Sequence, residues 1–144
     1  MAKDLFHNQL KTALIKDNWL ITHDPFELRI SEAIKLQIDL GAENTLAAQR
    51  NLEKIAVEIK SFSSDSDISE FHRALGQYLN YAQALEDKEP DRVLYLAVPS
   101  ETYSDFFQLS FIQKSLKRHG VNLIIYDPIQ EEINQWISCN NTDK

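Results

Sequence analysis

The chain reads as an α/β protein with a mixed central sheet flanked by helices, and three features predict it. Two segments carry apolar residues at helical spacing, two alternate with the period of a half-buried strand, and one is apolar almost throughout. Its 144 residues, 43% of them hydrophobic, are enough for one core. A single domain is therefore expected over 1–137, with a flexible tail at 138–144.

Leu5 to Asp17 places Leu5, Phe6, Leu10, Ala13 and Leu14 on one side of a first helix. Trp19 to His23 and Glu27 to Ile30 are short extended segments on either side of Asp24-Pro25, a dipeptide that favours turns. In "IKLQIDL", Ile34, Leu36, Ile38 and Leu40 share one face while Lys35, Gln37 and Asp39 share the other, which predicts a half-buried strand. "GAENTLAAQRN" is then a connection holding a turn of helix. Lys54 to Ser61 forms a third strand, with Ile55, Val57 and Ile59 opposite Glu58 and Lys60. The three strands are expected to join as a meander.

"SSDSD" opens a long helix, with Asp67 and Glu70 spaced as a capping pair. Its apolar stripe is Ile68, Phe71, Leu75, Tyr78, Leu79, Ala82 and Leu85. "EDKEPD" breaks it, and "RVLYLAV" follows as a central strand covered on both faces and ended by Pro99. Helical segments fill Ser100 to His119 with Gly120 as the C-cap, and "VNLIIY" and "EEINQWI" are two more strands around Asp127-Pro128.

Composition removes several classes. The single Cys139 excludes an internal disulfide, and no histidines or cysteines have zinc-ligand spacing. The charged N-terminus lacks the apolar core of a signal peptide, and no apolar run approaches the roughly 20 residues of a membrane span. A cytoplasmic location off the membrane is expected. A net charge of −7 counts against a broad, unspecific hold on nucleic acid and leaves room for a local basic groove.

The chemistry centres on Asp39, Glu58 and Lys60, each on the polar face of its strand. If the two strands pair antiparallel, Asp39 and Glu58 converge at one edge as oxygen ligands for a hard divalent cation such as Mg²⁺, with Mn²⁺ as an alternative. Such an ion activates a bound water and offsets charge on an attacked phosphodiester, while Lys60 acts as the catalytic cation. A second E-x-K, Glu86-Asp87-Lys88, falls at a solvated helix end, so the tripeptide alone carries little weight. Gln77 and Tyr81 share one side of the long helix, about 100–140° from its apolar stripe, where an amide and a phenol can support a substrate phosphate, base or ordered water.

This order of elements and residues resembles the PD-(D/E)XK nuclease superfamily, with its restriction-endonuclease-like αβββαβ core. Asp39 matches the first acid, Glu58-Ile59-Lys60 the E-x-K element, and Gln77 with Tyr81 a Q-x-x-x-Y feature. "AKDLFHNQLKTALIKDNWLITHDP", "IDLGAE", "KIAVEIKSF", "ALGQYLNYAQAL", "EPDRVLYLAVP" and "YDPIQEEINQWI" are together similar to the XisH family of cyanobacterial excision-controlling factors.

The resemblance implies Mg²⁺-dependent hydrolysis of DNA during programmed excision of a DNA element in heterocyst differentiation, beside a XisI-like companion protein. A homo-oligomer is left open. The implied alternative is an inert nuclease-fold regulator that acts by binding that companion; a nuclease for RNA or foreign DNA ranks last. Two departures stand out. Ile38 replaces the usual proline before Asp39, and Leu5 to Lys16 holds no acid, so Gln9 or His7 is expected where relatives place a glutamate. His7, His23, His72 and His119 are otherwise expected in surface or capping roles.

Overall fold

The computed structural model of the chain describes residues 2–44, 53–63 and 66–139. In order, its elements are α1 (Ala2–Lys16), β1 (Trp19–His23), β2 (Phe26–Arg29), β3 (Lys35–Ile38), β4 (Leu40–Asn44), β5 (Glu53–Ile59), α2 (Asp67–Lys88) and β6 (Arg92–Pro99). Then come α3 (Ser100–Ser104), a 3-10 turn (Phe106–Gln108), α4 (Ser110–Arg118), β7 (Leu123–Asp127) and β8 (Glu132–Ile137). Six strands form one sheet in the order β1-β4-β5-β6-β7-β8, parallel at β5–β6 and β6–β7 and antiparallel elsewhere. β2 and β3 make a separate hairpin. With that hairpin set aside, α1-β1-β4-β5-α2-β6 is the αβββαβ order of the restriction-endonuclease-like core expected from the sequence.

Both sheet faces are covered, which explains the apolar run of β6. On one face, Leu10 and Leu14 of α1 pack with Leu40, Val57, Ala97, Ile124 and Tyr126. On the other, Phe71 and Tyr78 of α2 and Ile112 and Leu116 of α4 pack with Ala56, Leu94, Leu96 and Val98, and the hairpin adds Phe26, Leu28 and Ile38. α4 ends as its glycine demands: Gly120 has φ +63°, and the amides of Gly120 and Val121 return to the carbonyls of Lys117 and Leu116. No helix among the described residues is long and apolar enough to cross a membrane.

The structure corrects the expected elements at several places. "IKLQIDL" is two strands broken at Asp39, so Ile38 enters the core under α2 while Leu40 enters the core under α1, and Ile34 is exposed. The meander is consequently β1-β4-β5 with a hairpin between its first two strands. Residues 41–44 extend β4, whereas 45–52 of the expected connection lie outside the described residues.

The cap of α2 is Ser66, whose side chain accepts from the Ser69 amide, so Asp67 is already helical; residues 64–65 lie outside the described residues. The α2 stripe runs through Phe71, Ala74, Tyr78, Tyr81 and Leu85, with Ile68 and Leu79 left exposed. Of the expected tail, 140–144 lie outside the described residues, and the Cys139 amide donates to Asn122 Oδ1 at 2.8 Å.

Candidate functional site

β4 and β5 are antiparallel with Leu40 opposite Val57. Stepping back one residue along β4 and forward one along β5 sets Asp39 beside Glu58, at the C-terminal end of an interior strand. Reciprocal bonds fix the pair: the Asp39 amide donates to Glu58 Oε1 at 3.3 Å, and the Ile59 amide donates to Asp39 Oδ2 at 2.8 Å. The Lys60 amide donates to Ala97 O at 3.0 Å, continuing the ladder with β6 one residue past β5. Strand periodicity then directs Lys60 to the side of Glu58, and its Nζ stands 3.6 Å from Glu58 Oε2.

That distance is too long for a charge-assisted hydrogen bond, so Lys60 offsets the two carboxylates only partly. Glu58 is 5% exposed. Burial first, then the Asp39 charge, push its carboxyl up to about 7 against the opposing effect of Lys60. Asp39 and Lys60 line a cavity of about 220 Å³ together with Phe6, His7, Ile59, Ser61 and Glu70. Glu58 does not line this cavity; its carboxylate is buried next to Asp39.

The other expected residues divide. The Tyr81 hydroxyl donates to Gln37 O at 3.1 Å, and burial followed by the charges of Glu58 and Asp39 pushes it up to about 12. Tyr81 is thus beside the acids, yet it belongs to the buried stripe of α2 rather than to a flank. Gln77, one turn earlier on the same side, is half-buried, with Oε1 enclosed and no hydrogen-bond partner among the described residues.

On α1, it is His7 rather than Gln9 that reaches the cavity. His7 Nε2 lies 2.8 Å from Asp24 Oδ1, and Lys11 Nζ donates to Asp24 Oδ2 at 2.7 Å. Partial burial opposes ionisation of Asp24, but Lys11 and His7 outweigh it and hold the carboxyl below its ordinary value. His72 and His119 are exposed, His23 packs on Phe26, and Glu86, Asp87 and Lys88 are all exposed.

Sequence reasoning missed Glu70 as a site residue. Its place in the first turn of α2 suggested a cap, but at 100° per residue Glu70, Ala74, Gln77 and Tyr81 share one helix face. That common face was the available signal. Among the described residues, no three His, Cys, Asp or Glu side chains are grouped to hold a metal ion. The carboxylates of the candidate site are the Asp39–Glu58 pair and, on the cavity wall with Asp39, Glu70.

A six-stranded mixed sheet with two carboxylates and an ammonium gathered at the end of an interior strand places the chain among α/β proteins of αβββαβ architecture. The family described as XisH protein matches residues 1–134, and the chain belongs to the XisH family. Its structure is similar to the crystal structure of an XisH family protein from Nostoc punctiforme PCC 73102, with 47% identity, TM-score 0.85, and coverage of 93% of this chain and 99% of that one. It is also similar to that of an fdxN element excision controlling factor protein from Anabaena variabilis, with 48% identity, TM-score 0.84, and coverage of 94% and 99%. A search of curated proteins finds no match.

Proposed function

We propose that this chain is an excision-controlling factor that hydrolyses DNA phosphodiesters, with Asp39 and Glu58 holding Mg²⁺ and Lys60 acting on the phosphate. Excision control comes from the similarity to the Anabaena variabilis fdxN element excision controlling factor protein; the setting of heterocyst differentiation comes from the family resemblance. The observation that carries the chemistry is the Asp39–Glu58 junction, where each carboxylate is held by main chain adjoining the other acid and a single lysine stands 3.6 Å away.

Two crowded carboxylates are hard oxygen donors that suit Mg²⁺, and Mn²⁺ takes the same ligands. The raised Glu58 pKa supports the fit, because a nearby cation relieves the repulsion that burial intensifies. When bound, the ion lowers the pKa of a coordinated water and offsets charge on the phosphate. Lys60, partly exposed on the cavity wall, orients the water and stabilises the crowded phosphorus centre. The water oxygen bonds to phosphorus as one ester P–O bond breaks, leaving a phosphomonoester end and a hydroxyl end. Tyr81 is a positioning residue: it anchors Gln37 O, two residues before Asp39. Gln77 continues that support along the same helix face.

The test is cleavage of plasmid and single-stranded DNA in Mg²⁺ by the native chain and by Lys60→Ala. A loss of about 100-fold or more is expected, as for removal of one preorganised donor to a transition state. Equal cleavage by both would overturn the assignment.

A second reading rests on the burial of Glu58 away from the cavity wall. In it, the nuclease fold is inert and regulates excision by binding a XisI-like partner. Asp39→Asn and Glu58→Gln chains that fold and still support excision in cells would establish it. Chains that fold and bind the partner yet fail in excision would eliminate it.

A further inference from the structure

The opposite end of the sheet carries a larger cavity, of about 550 Å³, that the proposed chemistry does not use. It opens on the α1 face at the starts of β1, β5 and β6. Its floor is an aromatic corner: the rings of Trp19 and Trp136 lie 5.4 Å apart with their planes at 33°, and Tyr95 meets Trp136 edge-on at 5.1 Å. Asp17 follows the last turn of α1 and accepts from Trp136 Nε1 at 3.2 Å, while Glu53 and Asp91 stand at the starts of β5 and β6. Against these three carboxylates the wall sets one cation among the described residues, Lys54.

We propose that this cavity binds an arginine side chain presented by a partner protein. Trp19 is buried, but Tyr95 and Trp136 are partly exposed on the cavity wall, and the planar, weakly hydrated guanidinium suits such aromatic surface better than an ammonium. The C-terminal end of α1 adds the negative pole of its dipole next to Asp17. A nucleobase could also stack on these rings, but its phosphates would meet Asp17, Glu53 and Asp91, so the charge selects a cation. Tyr95 registers the same field: burial and then the Glu53 carboxylate raise its pKa, and an arriving cation would relieve that repulsion.

The chain has two tryptophans, both in this cavity, so its intrinsic fluorescence reports the site directly. The full chain is titrated with an acetylated, amidated Gly-Arg-Gly peptide, with its citrulline counterpart, which keeps the shape and removes the charge, and with a single-stranded oligonucleotide. A saturable emission change is expected with the arginine peptide, with the citrulline peptide bound about tenfold more weakly and affinity falling as salt rises.

Asp91→Asn and Glu53→Gln alter exposed side chains and leave the core intact, so each should weaken the arginine peptide while the circular dichroism is unchanged. Lys54→Gln should tighten it. An equal response to both peptides, a stronger response to the oligonucleotide, or affinity unchanged in all three variants would overturn the assignment. So would the absence of any saturable change at millimolar peptide.

Discussion

Replacing Glu58 with glutamine should stabilise the protein in alkaline solution and change it far less in acid. The carboxyl titrates near 7 in the fold against an ordinary value of 4.5. Between those values the folded state holds more protons at this position than the unfolded chain, so stability falls as pH rises through the window and stays low above it. Integrated across the shift, ionised Glu58 costs the fold about 3 kcal/mol at pH 8 and about 1 kcal/mol at pH 5. Glutamine has nearly the same shape and no charge to bury.

The Lys60 ammonium 3.6 Å away pairs only with the ionised carboxylate and lowers its pKa, so its attraction is already contained in the shift. The difference between the two pH values therefore isolates the carboxylate, at about 2 kcal/mol. Urea denaturation of both chains across that range measures it. Stability curves that run parallel from pH 5 to 8 would refute the reasoning, since Glu58 would then be ionised in the fold as readily as in water.

Other outcomes follow from single contacts. Tyr81→Phe removes the bond to Gln37 O and should cost about 1 kcal/mol by thermal or urea unfolding, with a larger proportional loss of any metal-dependent activity because the backbone leading into Asp39 loses an anchor. Arg92→Ala should cost about 3 kcal/mol: its buried guanidinium donates to Glu89 and to Ile55 O and lies 4.6 Å above the Phe26 ring. Gly120→Ala forces a side chain to φ +63° and should cost about 1 kcal/mol, read as a lowered urea midpoint with an unchanged slope. Mg²⁺ affinity, followed by calorimetry, should fall about tenfold per pH unit below 7, because the ion must displace the Glu58 proton.

Much of this architecture is legible in the residues. β5 announces itself through Ile55, Val57 and Ile59 against Glu58 and Lys60, and β6 through an apolar run that needs cover on both faces. What alternation cannot reveal is a bend. Because both sheet faces are buried, Ile38 and Leu40 satisfy the same period whether the strand continues or breaks between them, and the break at Asp39 sends them to opposite cores. Small residues concealed the orientation of α2: Ala74 and Ala84 are buried but carry little hydrophobic signal, so the stripe drawn through Ile68 and Leu79 was rotated away from Tyr81. Gln9 and His7 are indistinguishable on a helix whose rotation the sequence leaves loose; of the two, His7 lines the cavity. The pairing of Asp39 with Glu58 was readable as a conditional, since it required only that two strands run antiparallel.

Diffraction from crystals grown with Mn²⁺, recorded at the manganese absorption edge, probes the metal assignment most directly. An anomalous peak contacted by carboxylate oxygens of both Asp39 and Glu58, and absent from Asp39→Asn crystals, is the result expected. Crystals saturated with Mn²⁺ that show no peak there, with Asp39 still held by the Ile59 amide and Glu58 by the Asp39 amide, would contradict a metal-dependent site.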